Sequence, residues 1–171
     1  LAALVPLLIT VQFALVGTGL MKDDAAVEAM TRTGNPKEIL RGPLFYGIVF
    51  VVLTVLYWKD SPIGITALMM MCGGDGIADI VGRRIQSPKL FWSREKSVAG
   101  SLSVFAGGAL LTALILFIYV GVGIFAAPFS MYLLPIAWIA LGAMLIESLP
   151  FKDIDNITLT VVTAIIGYLV F

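Results

Sequence analysis

Histidine does not occur in the 171 residues, and cysteine occurs once, at Cys72. The first absence removes any histidine general base, any histidine metal ligand and any Ser-His-Asp triad. The second excludes an internal disulfide and a cysteine-based zinc site. Charge is scarce as well. Only 13% of the residues are charged, 11 basic against 11 acidic, so the basic footprint of a nucleic-acid-binding protein is missing. No G-x-x-x-x-G-K-[ST] stretch exists, which rules out a Walker-type phosphate loop.

What fills the space is apolar. Hydrophobic residues make up 60% of the chain and the mean hydropathy is +1.02. Soluble domains run at about 45–50% apolar. The surplus predicts an all-α, polytopic transmembrane bundle in the lipid bilayer, a single domain over residues 1–171. Six spans are expected: Leu1–Leu20, Pro43–Trp58, Pro62–Val81, Ala99–Ala126, Met131–Ile146 and Ile157–Phe171. Ser61 followed by Pro62 reads as an N-cap with proline in the first turn. Gly107, Gly108, Gly121 and Gly123 in the fourth span suit close packing against another helix. The chain opens at Leu1 inside an apolar stretch, as expected of a fragment or processed product whose signal or transit peptide lies upstream.

The basic residues are distributed unevenly. Lys22, Arg32, Lys37 and Arg41 lie in loop 21–42, Arg83, Arg84, Lys89, Arg94 and Lys96 in loop 82–98, and Lys152 in loop 147–156. Six spans put these three loops on one face, leaving Lys59 alone on the other. The positive-inside rule then places the loops on the cytosolic or stromal side, where nucleotides are found.

Three motifs share that face. In CGGDGIADIVGRR, residues 72–84, a continuous helix would put Asp75, Asp79 and Arg83 at i, i+4 and i+8. Two carboxylates that close repel unless a cation lies between them or one keeps its proton. Hard oxygen ligands favour Mg²⁺, and the surrounding glycines let a phosphate approach the backbone. In SREKSVAGS, residues 93–101, Ser97 is expected to cap the fourth span. That leaves backbone N–H groups near Ala99 and Gly100 free for an anion, with Lys96 and the Ser97 or Ser101 hydroxyl beside them. In ESLPFKDIDN, residues 147–156, Glu147 ends an apolar run and Asp153 and Asp155 follow, with Asn156 a candidate N-cap. The first loop adds RTGNPKEILRGP, residues 32–43, with Arg32, Lys37 and Arg41. Acids suited to Mg²⁺, a lysine at a helix start and several arginines are the parts of a phosphoryl or nucleotidyl transfer site.

GDGIADIVGRR, EKSVAGSLS and ESLPFKDIDN, in that order, together with RTGNPKEILRGPLFYG, resemble the phytol kinase and farnesol kinase family of polyprenol kinases. A G-D-x-x-A-x-x-x-G-R pattern is shared more distantly with CTP-dependent membrane enzymes, the phosphatidate cytidylyltransferases and dolichol kinases. The resemblance implies an integral membrane kinase of chloroplast membranes with its motif loops facing the stroma. It would phosphorylate the hydroxyl of phytol or a related isoprenoid alcohol from CTP or another nucleoside triphosphate, feeding tocopherol and prenyl-lipid salvage. On that reading Asp75, Asp79 and Lys96 are catalytic, one of the two aspartates taking the alcohol proton. Mg²⁺ is held among Asp75, Asp79, Glu147 and Asp155. The nucleotide phosphates are held by Arg41, Arg83, Arg84, Ser97, Gly100 and Ser101. Two departures from the family pattern stand out: the earlier Arg-Lys-x-x-His segment is missing, and the patch near Asp155 has one acid fewer than a D-D-N sequence. The rival readings are a cytidylyltransferase using the same acids, and an ion-coupled transporter.

Overall fold

The structure, a computed structural model, describes residues 1–151 and 154–171; Lys152 and Asp153, read above as part of the third loop, lie outside the described residues. Helix α1 (Leu4–Gly17) leads through a short helix α2 (Asp24–Met30) and a 3-10 turn (Pro36–Leu40) into α3 (Gly42–Leu56). Helix α4 (Pro62–Met69), a π turn (Met70–Asp75) and α5 (Gly76–Arg84) follow one another without a break. After a two-stranded hairpin, β1 (Lys89–Leu90) and β2 (Ser93–Ser97), come α6 (Val98–Gly121), α7 (Ser130–Glu147) and α8 (Asp155–Val170).

Local chemistry explains the starts. Ser61 Oγ accepts from the Ile63 N–H at 3.2 Å with Pro62 in the first turn of α4, as the sequence led us to expect. Asp23 caps α2 through the Ala26 N–H at 2.9 Å. Asn156 does not cap α8; Ile154 stands at that position, and the Asn156 amide donates to the Gly42 carbonyl at 3.4 Å instead.

Among the described residues, four helical segments are long and apolar enough to cross a membrane: Pro36–Leu56, Pro62–Arg84, Val98–Gly121 and Ser130–Glu147. Helices α1 and α8 are apolar but shorter, with 14 and 16 residues. At 1.5 Å per residue they reach about 21 and 24 Å, against a hydrocarbon core of about 30 Å. The outer surface is greasy, with Leu110, Leu134 and Leu169 among many exposed side chains.

The core gathers around the π turn. Met70 and Met71 meet Val104 of α6, Ile139, Ala140 and Ala143 of α7, and Leu159 of α8. The expected helical run from Asp75 through Asp79 to Arg83 is present, but a π turn precedes it. The stretch Met70–Asp75 widens into a π turn, and one extra residue turns everything after it by about 100° relative to α4. Glycine makes this possible, because the π turn lies against α6 almost backbone to backbone. A Cβ on Gly74 would stand 3.1 Å from the Val104 carbonyl oxygen and 3.6 Å from Gly108 Cα. Gly107 and Gly108 therefore serve packing, as read from the sequence. Gly121 and Gly123 do not: neither has a neighbour within 4 Å of a Cβ position, and Gly123 instead takes φ +76 where α6 ends.

Candidate active site

Helix α3 packs on α1 and α8, whereas α5 packs on α6. Between those two groups opens a cleft of about 1580 Å³. Small-molecule pockets are typically about 300–1,000 Å³, so this one has room for two substrates at once. One wall is apolar, formed by Val5, Pro6, Ile9 and Phe13 of α1 with Tyr46 and Phe50 of α3. The other end carries charge.

Asp75, Lys96, Glu147 and Asp155 come together there from the π turn, β2, α7 and α8. Lys96 Nζ donates to Glu147 Oε1 in a close ion pair and lies 3.9 Å from Asp155 Oδ2. Glu147 is only 5% exposed, so its charge needs a partner. Burial opposes the charge on Lys96, but the Glu147 carboxylate and its hydrogen bond, with Asp155 and Asp75 behind them, outweigh it. The ammonium accordingly titrates above the ordinary lysine value.

The remaining expected site residues are placed differently. Asp79 lies one turn beyond Asp75 and is bound by Arg83, with Oδ2 2.6 Å from NH2 and Oδ1 3.0 Å from Nε. Both side chains are more than half exposed, at 52% and 64%, so the pair stands at the mouth of the cleft. Arg41, Ser97, Gly100 and Ser101 also line the cleft; Arg84, exposed at the end of α5, does not.

The anion cradle expected at the start of α6 is closed in this structure. Its N–H groups are already used: Val98 donates to the Pro88 carbonyl at 3.0 Å, Ala99 to Ser87 Oγ at 3.0 Å, and Gly100 to Ser97 Oγ at 3.2 Å. The hairpin, absent from the all-helical expectation, causes this by folding residues 87–88 back over the helix end. A Cβ at Gly100 would press first on the capping Ser97 Oγ, at 3.2 Å.

Among the described residues no three His, Cys, Asp or Glu side chains are gathered closely enough to hold a metal ion as they stand. The Lys96 ammonium lies between the carboxylates. The donor set nevertheless fits a hard cation, because among the described residues Glu147 and Asn156 both line the cleft and their buried Oε2 and Oδ1 have no hydrogen-bond partner.

Comparison with known proteins gives these groups a family context. Over 172 aligned residues, 99% of the chain, it is 45% identical to a rice protein named "Probable phytol kinase 1, chloroplastic". It is 37% identical to the Arabidopsis thaliana protein named "Phytol kinase 1, chloroplastic", and 37% identical to "Farnesol kinase, chloroplastic" of the same plant. Nearly the whole chain is thus related to proteins named phytol kinase and farnesol kinase. It spans 55–57% of the length of these three relatives. No family model matches the chain, and no solved structure matches it significantly.

Within the segment shared with those kinases, three features escaped the sequence reading. Tyr46 donates its hydroxyl to Cys72 Sγ at 2.8 Å, where the apolar wall meets the π turn; a phenol inside an apolar span was the available signal. Trp92 Nε1 donates to the Ser148 carbonyl at 2.9 Å, fastening the hairpin to the end of α7. That contact joins residues 56 positions apart, and no local pattern announces it. Asn156 reads locally as a cap, and only the fold brings it to Gly42.

Proposed function

We propose that this chain carries the catalytic centre of a membrane kinase. It transfers a phosphoryl group from CTP, or another nucleoside triphosphate, to the hydroxyl of phytol or a related isoprenoid alcohol. One observation carries the reading: a single cleft joins the apolar wall of α1 and α3 to the Asp75–Lys96–Glu147–Asp155 cluster. An isoprenoid alcohol has the same division, a long hydrocarbon tail ending in one hydroxyl. The names of the relatives supply the reaction class.

In this reading the prenyl tail lies along Ile9, Phe13 and Phe50, and the hydroxyl reaches Asp75. The alcohol oxygen attacks the γ-phosphorus. An O–P bond forms as the bond to the β,γ-bridging oxygen breaks, the hydroxyl proton passes to the Asp75 carboxylate, and the nucleoside diphosphate leaves. Lys96, Arg41 and Arg83 neutralise the phosphates, with Asp79 holding Arg83 in place. Such chemistry depends mainly on positioning and on charge neutralisation. Mg²⁺ would be held by Glu147 and Asp155 and would neutralise charge on the transferring group.

The same proposal covers topology and place. Residues 1–171 form one domain with six crossings, α1 and α8 completing the four long helices, and the basic loops 21–42, 82–98 and 147–156 share the stromal face of a chloroplast membrane. The product would supply tocopherol and prenyl-lipid salvage. The test is labelled CTP with purified full-length protein and a panel of phytol, geranylgeraniol and farnesol. Label from the γ-position appearing in the lipid is the expected result. Label from the α-position in a CDP-lipid would replace the kinase with a cytidylyltransferase, and no labelled lipid with any nucleotide would sink both.

A further inference from the structure

Among the described residues, two buried acceptor oxygens on residues that line the cleft, Glu147 Oε2 and Asn156 Oδ1, have no hydrogen-bond partner. Their residues are 5% and 8% exposed. A buried acceptor left unpaired is costly, so two on residues lining one cleft call for a ligand that satisfies them. The orientation of the Asn156 amide is fixed chemically. The Gly42 carbonyl can only accept, so Nδ2 must face it, at 3.4 Å, and Oδ1 is left over. Asn156 is the second residue of α8, directly after Asp155, and both residues line the cleft with Glu147.

The surrounding charge selects the kind of ligand. Among the described residues, Glu147 and Asp155 set two carboxylates against the one ammonium of Lys96, with the carboxyl of Asp75 close by. A neutral N–H or O–H donor would satisfy the orphaned oxygens but leave that excess uncompensated. A divalent cation does both. Carboxylates with an amide carbonyl are hard oxygen donors of the sort that such ions prefer.

We propose that Asn156 is a cation ligand: its Oδ1 joins Glu147 and Asp155 in a divalent-cation site whose place Lys96 Nζ holds in the structure described here. The proposal rests on the kinase reading for the role of the cation but not for its existence. Binding the ion requires Lys96 to release Glu147 Oε1, which frees the ammonium for a second anion in the same cleft. Asn156 thereby gains a role beyond tying α8 to α3, and Lys96 becomes the competitor of the metal rather than its companion.

The experiment uses Mn²⁺ as probe, titrated into the purified full-length protein in lipid nanodiscs without nucleotide and read by electron paramagnetic resonance. Asn156→Ala is expected to weaken Mn²⁺ binding at least about tenfold. Asn156→Asp, which keeps an oxygen but cannot donate to Gly42, is expected to bind as tightly as wild type or tighter. Lys96→Met is expected to tighten binding. If Asn156→Asp loses Mn²⁺ as fully as Asn156→Ala, the residue is only a structural tie and the proposal falls. Wild-type affinity in Asn156→Ala also overturns it. Either failure would leave lipid phosphorylation by the wild-type protein untouched, so the kinase reading is judged separately.

Discussion

Lys96 and Glu147 form a costly pair, because Glu147 is buried while Lys96 reaches it from a different element. Removing one partner of a buried pair leaves a stranded charge and typically costs about 3–5 kcal/mol. Lys96→Met is therefore expected to destabilise the protein by roughly that amount, and Lys96→Met with Glu147→Gln to recover most of it, as read by thermal unfolding in detergent. The pH dependence follows from the raised lysine value. A folded-state value above the ordinary 10.5 means that the stabilisation is complete below 10.5 and is lost only as pH rises through the folded value. Thermal stability should thus lack a Lys96-linked loss between neutrality and pH 10. The exposed Asp79–Arg83 pair behaves differently, since i,i+4 surface pairs contribute about 0.3–0.5 kcal/mol. Asp75→Asn should lower phosphoryl transfer at least about 100-fold. Asp79→Asn should lower it less and leave unfolding almost unchanged, and steady-state kinetics on both variants check this ranking.

At the scale of the element, the π turn decides where Asp75 stands. An added methyl at Gly74 would press on the Val104 carbonyl at 3.1 Å, and backbone cannot swing aside as a side chain can. Overpacking of this sort costs about 1–3 kcal/mol, and here it would also shift the neighbouring Asp75. Gly74→Ala should consequently lower both the melting temperature and the transfer rate, whereas Gly121→Ala, which meets nothing within 4 Å, should do neither. The positions of the helices were legible because apolar length and cap residues such as Ser61 and Ser97 act locally. The π turn was not, because MMCGGD carries no local mark of the α6 surface it must fit. The same limit explains the site. Asp75, Lys96, Glu147 and Asp155 stood out as charges beside apolar runs, but their grouping, with Asp79 apart and Lys96 between the acids, depends on contacts across the fold.

For the whole molecule, the basic loops and apolar outer surface set the orientation to be tested. The proposed six crossings would put Thr33 and Arg94 on one side of the membrane and Ala127 on the other. Cysteines introduced there in a Cys72→Ser background should react with an impermeant maleimide from opposite sides of sealed vesicles. Labelling of Arg94→Cys and Ala127→Cys from the same side would remove the six-span arrangement. Phe91, 92% exposed and edge-on to Trp92 at 4.3 Å, stands at the hairpin tip, and in the proposed orientation it would meet lipid headgroups.

The hydrogen bond from Trp92 to Ser148 then has a mechanical meaning. Helices answer changes in bilayer thickness by tilting. A lysine on a free loop would drift away from a glutamate on a tilting helix. Here the strand bearing Lys96 is tied to the turn just after Glu147, so in the proposed membrane setting the two would move together and the centre would keep its shape as thickness varies.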